Sequence, residues 1–223
     1  MMETLRLLRR DFRATVQNDP TARGAQPILY PCFHAIALHR LLAHPLYGLG
    51  FQFLARLVNQ ITRFLTGLDI HPGARIGGGF FVDHGMGVVI GETAEVGENC
   101  VLFHNVTLGG TGHHQGKRHP TLDDHVVVGT GAKVLGNITI GARSKIGAGS
   151  VVVKSVPPHS TVVGVPGRVV AIDGVIVKDE DKDMLEHGRL PDPVEQAING
   201  LQERIAQLEA ELRSLREGAA RSL

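Results

Sequence analysis

Apolar side chains recur every six residues through the middle of the chain. Ile70, Ile76 and Val82 keep this spacing, then Ile90, Val96, Leu102 and Leu108, then Leu122, Val128, Val134, Ile140, Ile146 and Val152. Glycine follows the apolar residue at 77, 91, 97, 129, 141 and 147, and Ala74, Ala94, Cys100, Val106, Ala132, Ser144 and Ser150 lie four after one. Such a hexad predicts a short strand and a tight turn. The apolar residue points inward, the glycine lets the chain turn, and the small residue fills the corner. Three hexads make one triangular coil of a parallel β-helix, and stacked coils cover each other's apolar layers. Strands of an α/β protein would need helical crossovers of ten or more residues, and none fits between these repeats.

Two insertions break the period. DHGMG adds two residues between Val82 and Ile90, and LGGTGHHQGKRHPTL at 108–122 adds eight between Leu108 and Leu122. Insertions leave a solenoid as loops and often build its binding face.

Outside the repeat the apolar spacing changes to three and four. Residues 1–67 read as a helical cap over the open end of the first coil, with helices over Phe33–Leu42 and Leu49–Phe64 and a helix start expected at Asp19-Pro20. The β-helix is assigned to 68–172 and a charged linker to 173–190. Val194, Ile198, Leu201, Ile205, Leu208, Leu212 and Leu215 alternate by four and three, which predicts a coiled-coil-like helix over 191–217 before a tail at 218–223.

Composition narrows the class. The chain has 223 residues and a formal net charge of +1, which gives no reason to expect nucleic acid or an anionic membrane as partner. No apolar run approaches the ~20 residues of a membrane span. METLRLLRRDFR lacks the apolar stretch of a signal peptide, so a cytoplasmic protein with reduced, structural Cys32 and Cys100 is expected. With no Trp, 4% aromatic residues and 28 glycines, the core must be aliphatic.

The insertions carry the candidate chemistry. Asp69 and His84 are 15 apart, nearly one 18-residue coil, which places them near one corner with Asp83. A carboxylate beside an imidazole fixes its tautomer and makes the other nitrogen a general base. A satisfied polar corner is the alternative. In the longer loop a phosphate cradle fails on register, because Thr111 stands where its first glycine should be. Two readings stay open. His84, His114 and His119 could form a three-imidazole zinc site, or Arg118 and His119 could capture a carboxylate.

DIHPGARIG at 69–77, DHGMGVVIGETAEVG at 83–97, VTLGGTG and GKRHPTL within 106–122, GVPGRVV at 164–170 and NDP at 18–20 resemble serine O-acetyltransferase, a hexapeptide-repeat acyltransferase family, over roughly residues 10–170. The resemblance implies a mainly β fold with α, a left-handed parallel β-helix. It implies acetyl transfer from acetyl-CoA, as co-substrate, to the hydroxyl of L-serine, with no metal. It implies that His84 is the general base and Asp69 orients it. Asp19 and Asp83 would hold the substrate amino group, and Arg118 and His119 its carboxylate. Gly109, Gly110, Thr111, Thr130 and Lys145 would contact CoA and its thioester. His113 and His114 would have no chemical role. It further implies L-cysteine as inhibitor, and a homotrimer or a dimer of trimers with the site between subunits. Family members that bind cysteine synthase end in Ile. The terminal ARSL matches this poorly, so that partner ranks below the other expectations.

Overall fold

The computed structural model describes residues 2–112, 115–177, 204–205 and 207–208. Residues Met1–Glu180 form one compact unit and Asp181–Leu223 a second. In the second unit the four described residues, Arg204, Ile205, Gln207 and Leu208, are helical. The rest of the expected coiled coil, the tail, most of the linker, and His113 and His114 lie outside the described residues.

All thirteen periodic apolar residues sit on strands, and these stack in about five turns. One sheet takes β1 (Asp69–Ile70), β4 (Val89–Ile90), β7 (Thr107–Gly109), β10 (Lys133–Leu135) and β13 (Val151–Val152). The second takes β2 (Arg75–Ile76), β5 (Glu95–Val96), β8 (Thr121–Leu122) and β11 (Thr139–Ile140). The third takes β3 (Phe81–Asp83), β6 (Val101–Phe103), β9 (Val127–Val128), β12 (Lys145–Ile146) and β14 (Ser160–Val163). Pairing from coil to coil is parallel, as a solenoid requires and as the left-handed β-helix of the sequence analysis expects. The inward Leu102, Leu108, Val128, Val134 and Ile140 are wholly buried, as are the corner residues Ala74, Cys100, Val106, Ala132, Ser144 and Ser150. Each such aliphatic side chain contributes roughly 1.5–3 kcal/mol by leaving water. Burial pushes the Cys100 thiol up to about 11, which makes it a filler and not a nucleophile.

The insertions are absorbed without loss of register. Asp69 pairs with Val89 and Ile70 with Ile90, an offset of 20 residues and not 18. Glu95 pairs with Thr121 and Val96 with Leu122, an offset of 26. The extra two and eight residues therefore bulge at corners, and the ladder resumes immediately.

Helices cover the first coil: α1 (Met2–Asn18), α2 (Pro31–Leu38), α3 (His44–Gly48) and α4 (Gln52–Thr66). Pro45 lacks the N–H that would continue α2 regularly, and a π-type turn at His39–Ala43 joins α2 to α3. Gly67, at φ 77°, caps α4 and delivers the chain into β1. Buried Arg40 and Asp11 tie the cap to the solenoid. Arg40 Nε donates to Asp11 Oδ2 at 2.7 Å, its Nη1 donates to the Ile76 carbonyl at 2.8 Å, and the Phe80 N–H donates to Asp11 Oδ1 at 3.0 Å.

Two expectations are corrected. No helix opens at Asp19-Pro20: α1 ends at Asn18, and Asp19 turns the chain by accepting the Thr21 N–H at 2.8 Å. Ordered sheet also continues past 172, as an antiparallel extension of the third sheet. Asp173 and Gly174, both at positive φ, make a tight turn, and β15 (Arg168–Ile172) pairs antiparallel with β16 (Val175–Ile176), so 173–177 are not linker.

Candidate active site

The DHGMG insertion is the corner between the third sheet and the first. It begins at Asp83, the last residue of β3, and His84 adopts the left-handed conformation at φ 50°. This turn and the end of α1 enclose a pocket of about 480 Å³, lined among others by Asp19, Tyr30, Cys32, Asp83 and His84. Three of the predicted site residues, 65 positions apart at the extremes, thus share one cavity. Asp19 is held rigidly: the Thr21 hydroxyl donates to Oδ1 at 2.7 Å and the Tyr30 hydroxyl to Oδ2 at 2.8 Å. The bonds from Thr21 and Tyr30 hold its carboxyl below the usual range, so it is an anion. Asp83 Oδ1 lies 3.9 Å from His84 Nε2, and the imidazole is largely exposed to the cavity and solvent.

Asp69 stands beside this turn but is engaged elsewhere. Its Oδ1 accepts from Asn59 Nδ2 at 3.2 Å, and its Oδ2 pairs with Arg63 at 3.4 Å, both from α4. Among the described residues it makes no hydrogen bond to His84. A carboxylate has about four acceptor sites, so these two partners leave capacity for a third.

Arg118 and His119 lie at a different corner, between the first and second sheets, where the long insertion re-enters the ladder. Arg118 Nη2 bonds Glu92 Oε2 at 2.5 Å, and Glu92 Oε1 accepts from the Tyr47 hydroxyl of α3 at 2.8 Å. The bonds from Tyr47 and Arg118 hold the Glu92 carboxyl below its usual range. His119 is 8% exposed, and burial, with the Arg118 charge, lowers its pKa. Its ring fits only because no Cβ stands at Gly91, where one would come within 2.0 Å of Nε2.

Thr111 is at the same corner, its N–H donating to the Arg118 carbonyl at 3.3 Å, and Gly109 and Gly110 precede it on the way out of β7. Thr130 lies in the turn between β9 and β10, the corner type that also carries His84, while Lys145 is an exposed residue of β12. Apart from Lys145, on the face of the third sheet, the predicted serine and CoA residues are therefore divided between the same two corners of the prism. His84 and His119 do not converge within the chain, and among the described residues no three metal-ligating side chains do.

Five residues that hold this site were not found in the sequence: Thr21, Tyr30, Tyr47, Glu92 and Thr93. The 26-residue offset, 18 plus the eight inserted, would have placed Glu92 under Arg118 and Thr93 under His119.

Comparison with known proteins gives a consistent picture. A family model for the bacterial transferase hexapeptide (six repeats) matches residues 119–154. The serine acetyltransferase of Bacillus subtilis (strain 168) is 53% identical over 214 residues, 95% of this chain and 96% of its own. A structure of serine acetyltransferase in complex with coenzyme A from Brucella abortus strain S19 is 48% identical, with TM-score 0.74 over 76% of this chain and 68% of that one. A serine acetyltransferase in complex with cysteine is 38% identical, with TM-score 0.74 over 76% of this chain and 70% of that one. With near-complete coverage at this identity, the same repeat architecture and the same motifs at its corners, the chain belongs to the serine acetyltransferase family.

Proposed function

We propose that the chain transfers the acetyl group of acetyl-CoA to the hydroxyl of L-serine, giving O-acetyl-L-serine and CoA, a step toward cysteine. The observation that carries this is the pocket that joins Asp19, Asp83 and His84, in a chain of this family. Two carboxylates beside one imidazole suit a substrate with an ammonium group next to a hydroxyl. Asp19 and Asp83 hold the ammonium. His84 takes the hydroxyl proton as the oxygen attacks the thioester carbonyl, and returns it to the CoA thiolate as the tetrahedral intermediate collapses. No acyl-enzyme is needed. Asp69 orients the imidazole with its spare acceptor capacity, for which the exposed His84 ring must turn toward β1. Arg118 and His119 take the carboxylate, a planar fork and a neutral N–H donor. Gly109, Gly110 and Thr111 line the path to the thioester, and Thr130 and Lys145 contact CoA.

The two halves sit on different corners of one prism, so the substrate is held between two copies, in a homotrimer or a dimer of trimers. Cysteine differs from serine by one atom and fits the same ammonium and carboxylate groups, so it acts as a competitive feedback inhibitor. The relative in complex with cysteine supports this. A cytoplasmic location would keep the two free cysteines reduced. Among the described residues no helix is long and apolar enough to cross a membrane.

Assay of the full chain with acetyl-CoA and a panel of hydroxyl acceptors tests the reading. Serine should be preferred by a wide margin, with free thiol released in step with ester. Preference for a sugar or another alcohol would overturn it.

A further inference from the structure

The strongest unassigned cluster is the corner Gly91-Glu92-Thr93. It belongs to the regular coil below the long insertion, not to the insertion. The pairing of Glu95 with Thr121 and Val96 with Leu122 extends backward at the same offset of 26, which sets Glu92 under Arg118 and Thr93 under His119. The side chains use that register. The Thr93 hydroxyl oxygen accepts the backbone N–H of Arg118 at 3.0 Å and of His119 at 3.2 Å. It also lies 2.9 Å from His119 Nδ1, which accepts the Thr93 backbone N–H at 3.2 Å. With Nδ1 as acceptor, the neutral ring carries its proton on Nε2, a tautomer assigned by these bonds. Glu92 meanwhile spans from Tyr47 in the helical cap to the Arg118 guanidinium.

We propose that Thr93 and Glu92 are positioning residues for serine: Thr93 fixes the backbone of the Arg118-His119 pair and presents His119 as an Nε2–H donor, while Glu92 aims the Arg118 fork. This rests on the reading of Arg118 and His119 as the carboxylate clamp. A loop with three glycines before Arg118 cannot hold a planar fork in one orientation by itself. The rigid corner beneath it supplies the orientation, so the ordering cost is met on folding and not on binding. Neither residue needs to touch acetyl-CoA or the reacting atoms.

The test compares Thr93→Val, Thr93→Ser, Glu92→Gln and Arg118→Ala in the intact protein, with KM for serine and for acetyl-CoA, kcat and melting temperature measured for each. Thr93→Val keeps the shape and removes the hydroxyl. It should raise the serine KM by roughly tenfold, the loss of an orienting bond in a charged clamp, with the acetyl-CoA KM within about twofold of the parent. Thr93→Ser restores the oxygen and should return serine KM to near the parent value. Glu92→Gln, at a partly exposed site that tolerates an isosteric amide, should raise serine KM several-fold even where Thr93→Val folds poorly. If Arg118→Ala raises serine KM while Glu92→Gln and Thr93→Val do not, the positioning role is wrong and the clamp stands. If Arg118→Ala leaves serine KM unchanged, the clamp itself is wrong. Equal changes in the acetyl-CoA and serine KM, or a failure of Thr93→Ser to rescue a folded Thr93→Val, would also overturn the positioning role.

Discussion

Replacing Asp11 with alanine should separate the helical cap from the solenoid more than any other single polar change. Asp11 is wholly buried and Arg40 is 7% exposed. The pair is closed by two bonds, from Arg40 Nε at 2.7 Å and Nη2 at 3.1 Å, and the guanidinium also holds the Ile76 and Gly77 carbonyls. Asp11→Ala leaves a buried guanidinium without its counter-charge and the Phe80 N–H without an acceptor. Breaking a buried pair in this way costs about 3–5 kcal/mol. Arg10–Glu98, one residue away, is also a two-bond ion pair, but it is solvent-exposed, so Arg10→Ala should cost at most about 1 kcal/mol. Urea unfolding at fixed protein concentration measures the difference. The chain has no Trp and two Tyr, Tyr30 and Tyr47, both in the cap region, so tyrosine emission follows the cap while far-UV circular dichroism follows the whole. Because α1 ends at the pocket, Asp11→Ala should also raise the serine KM. The double variant Asp11→Ala/Arg40→Met, which removes both charges, should be more stable than Asp11→Ala alone. An Asp11→Ala variant no less stable than Arg10→Ala, or a double variant worse than the sum of its singles, would refute the buried-charge account.

Other expectations can be checked on the same protein. His84→Ala should lower kcat by about 10²–10⁴ while CoA binding measured by calorimetry changes little; an unchanged kcat would remove His84 as base. Gly91→Ala places a methyl within 2.0 Å of the His119 ring, and steady-state kinetics should show a serine KM increase at least as large as that of Thr93→Val. His39 is buried, its Nδ1 has no hydrogen-bond partner among the described residues, and burial lowers its pKa to about 3. Its unfolded form binds a proton from about pH 6.5 downward and its folded form does not, so stability should fall as pH drops from about 6.5 toward 3. His39→Phe should flatten that limb in unfolding titrations, and an unchanged pH profile would show that the titration lies elsewhere.

The fold was legible because each hexad states its own geometry. An inward aliphatic, a turning glycine and a small corner residue are local requirements; all thirteen periodic positions supply the aliphatic on a strand, and about half add the glycine or the small corner residue. The helices were legible in outline, but Asp19-Pro20 was misread, because proline follows a helix end as readily as it opens a helix. What the hexads do not state is which residues meet between coils. Asp69 is the clearest case. Its 15-residue spacing from His84 suggests one corner, yet Asn59 and Arg63 of α4 reach it, and no spacing within the repeat encodes a partner from outside it.

The division of the site follows from where the period breaks. A solenoid fixes its inward residues by packing and leaves its corners free, so added residues can appear at a corner without disturbing the ladder. Two insertions at two kinds of corner therefore place His84 on one edge of the prism and Arg118 on another. A single coil cannot bring those edges together, since the core that makes it stable also keeps them apart. On the proposed function, a chain of this design holds one small substrate from both ends when a second copy presents its other edge. On the same proposal, the bonds of Glu92 and Thr93 to Arg118 and His119 give that edge its shape within one chain.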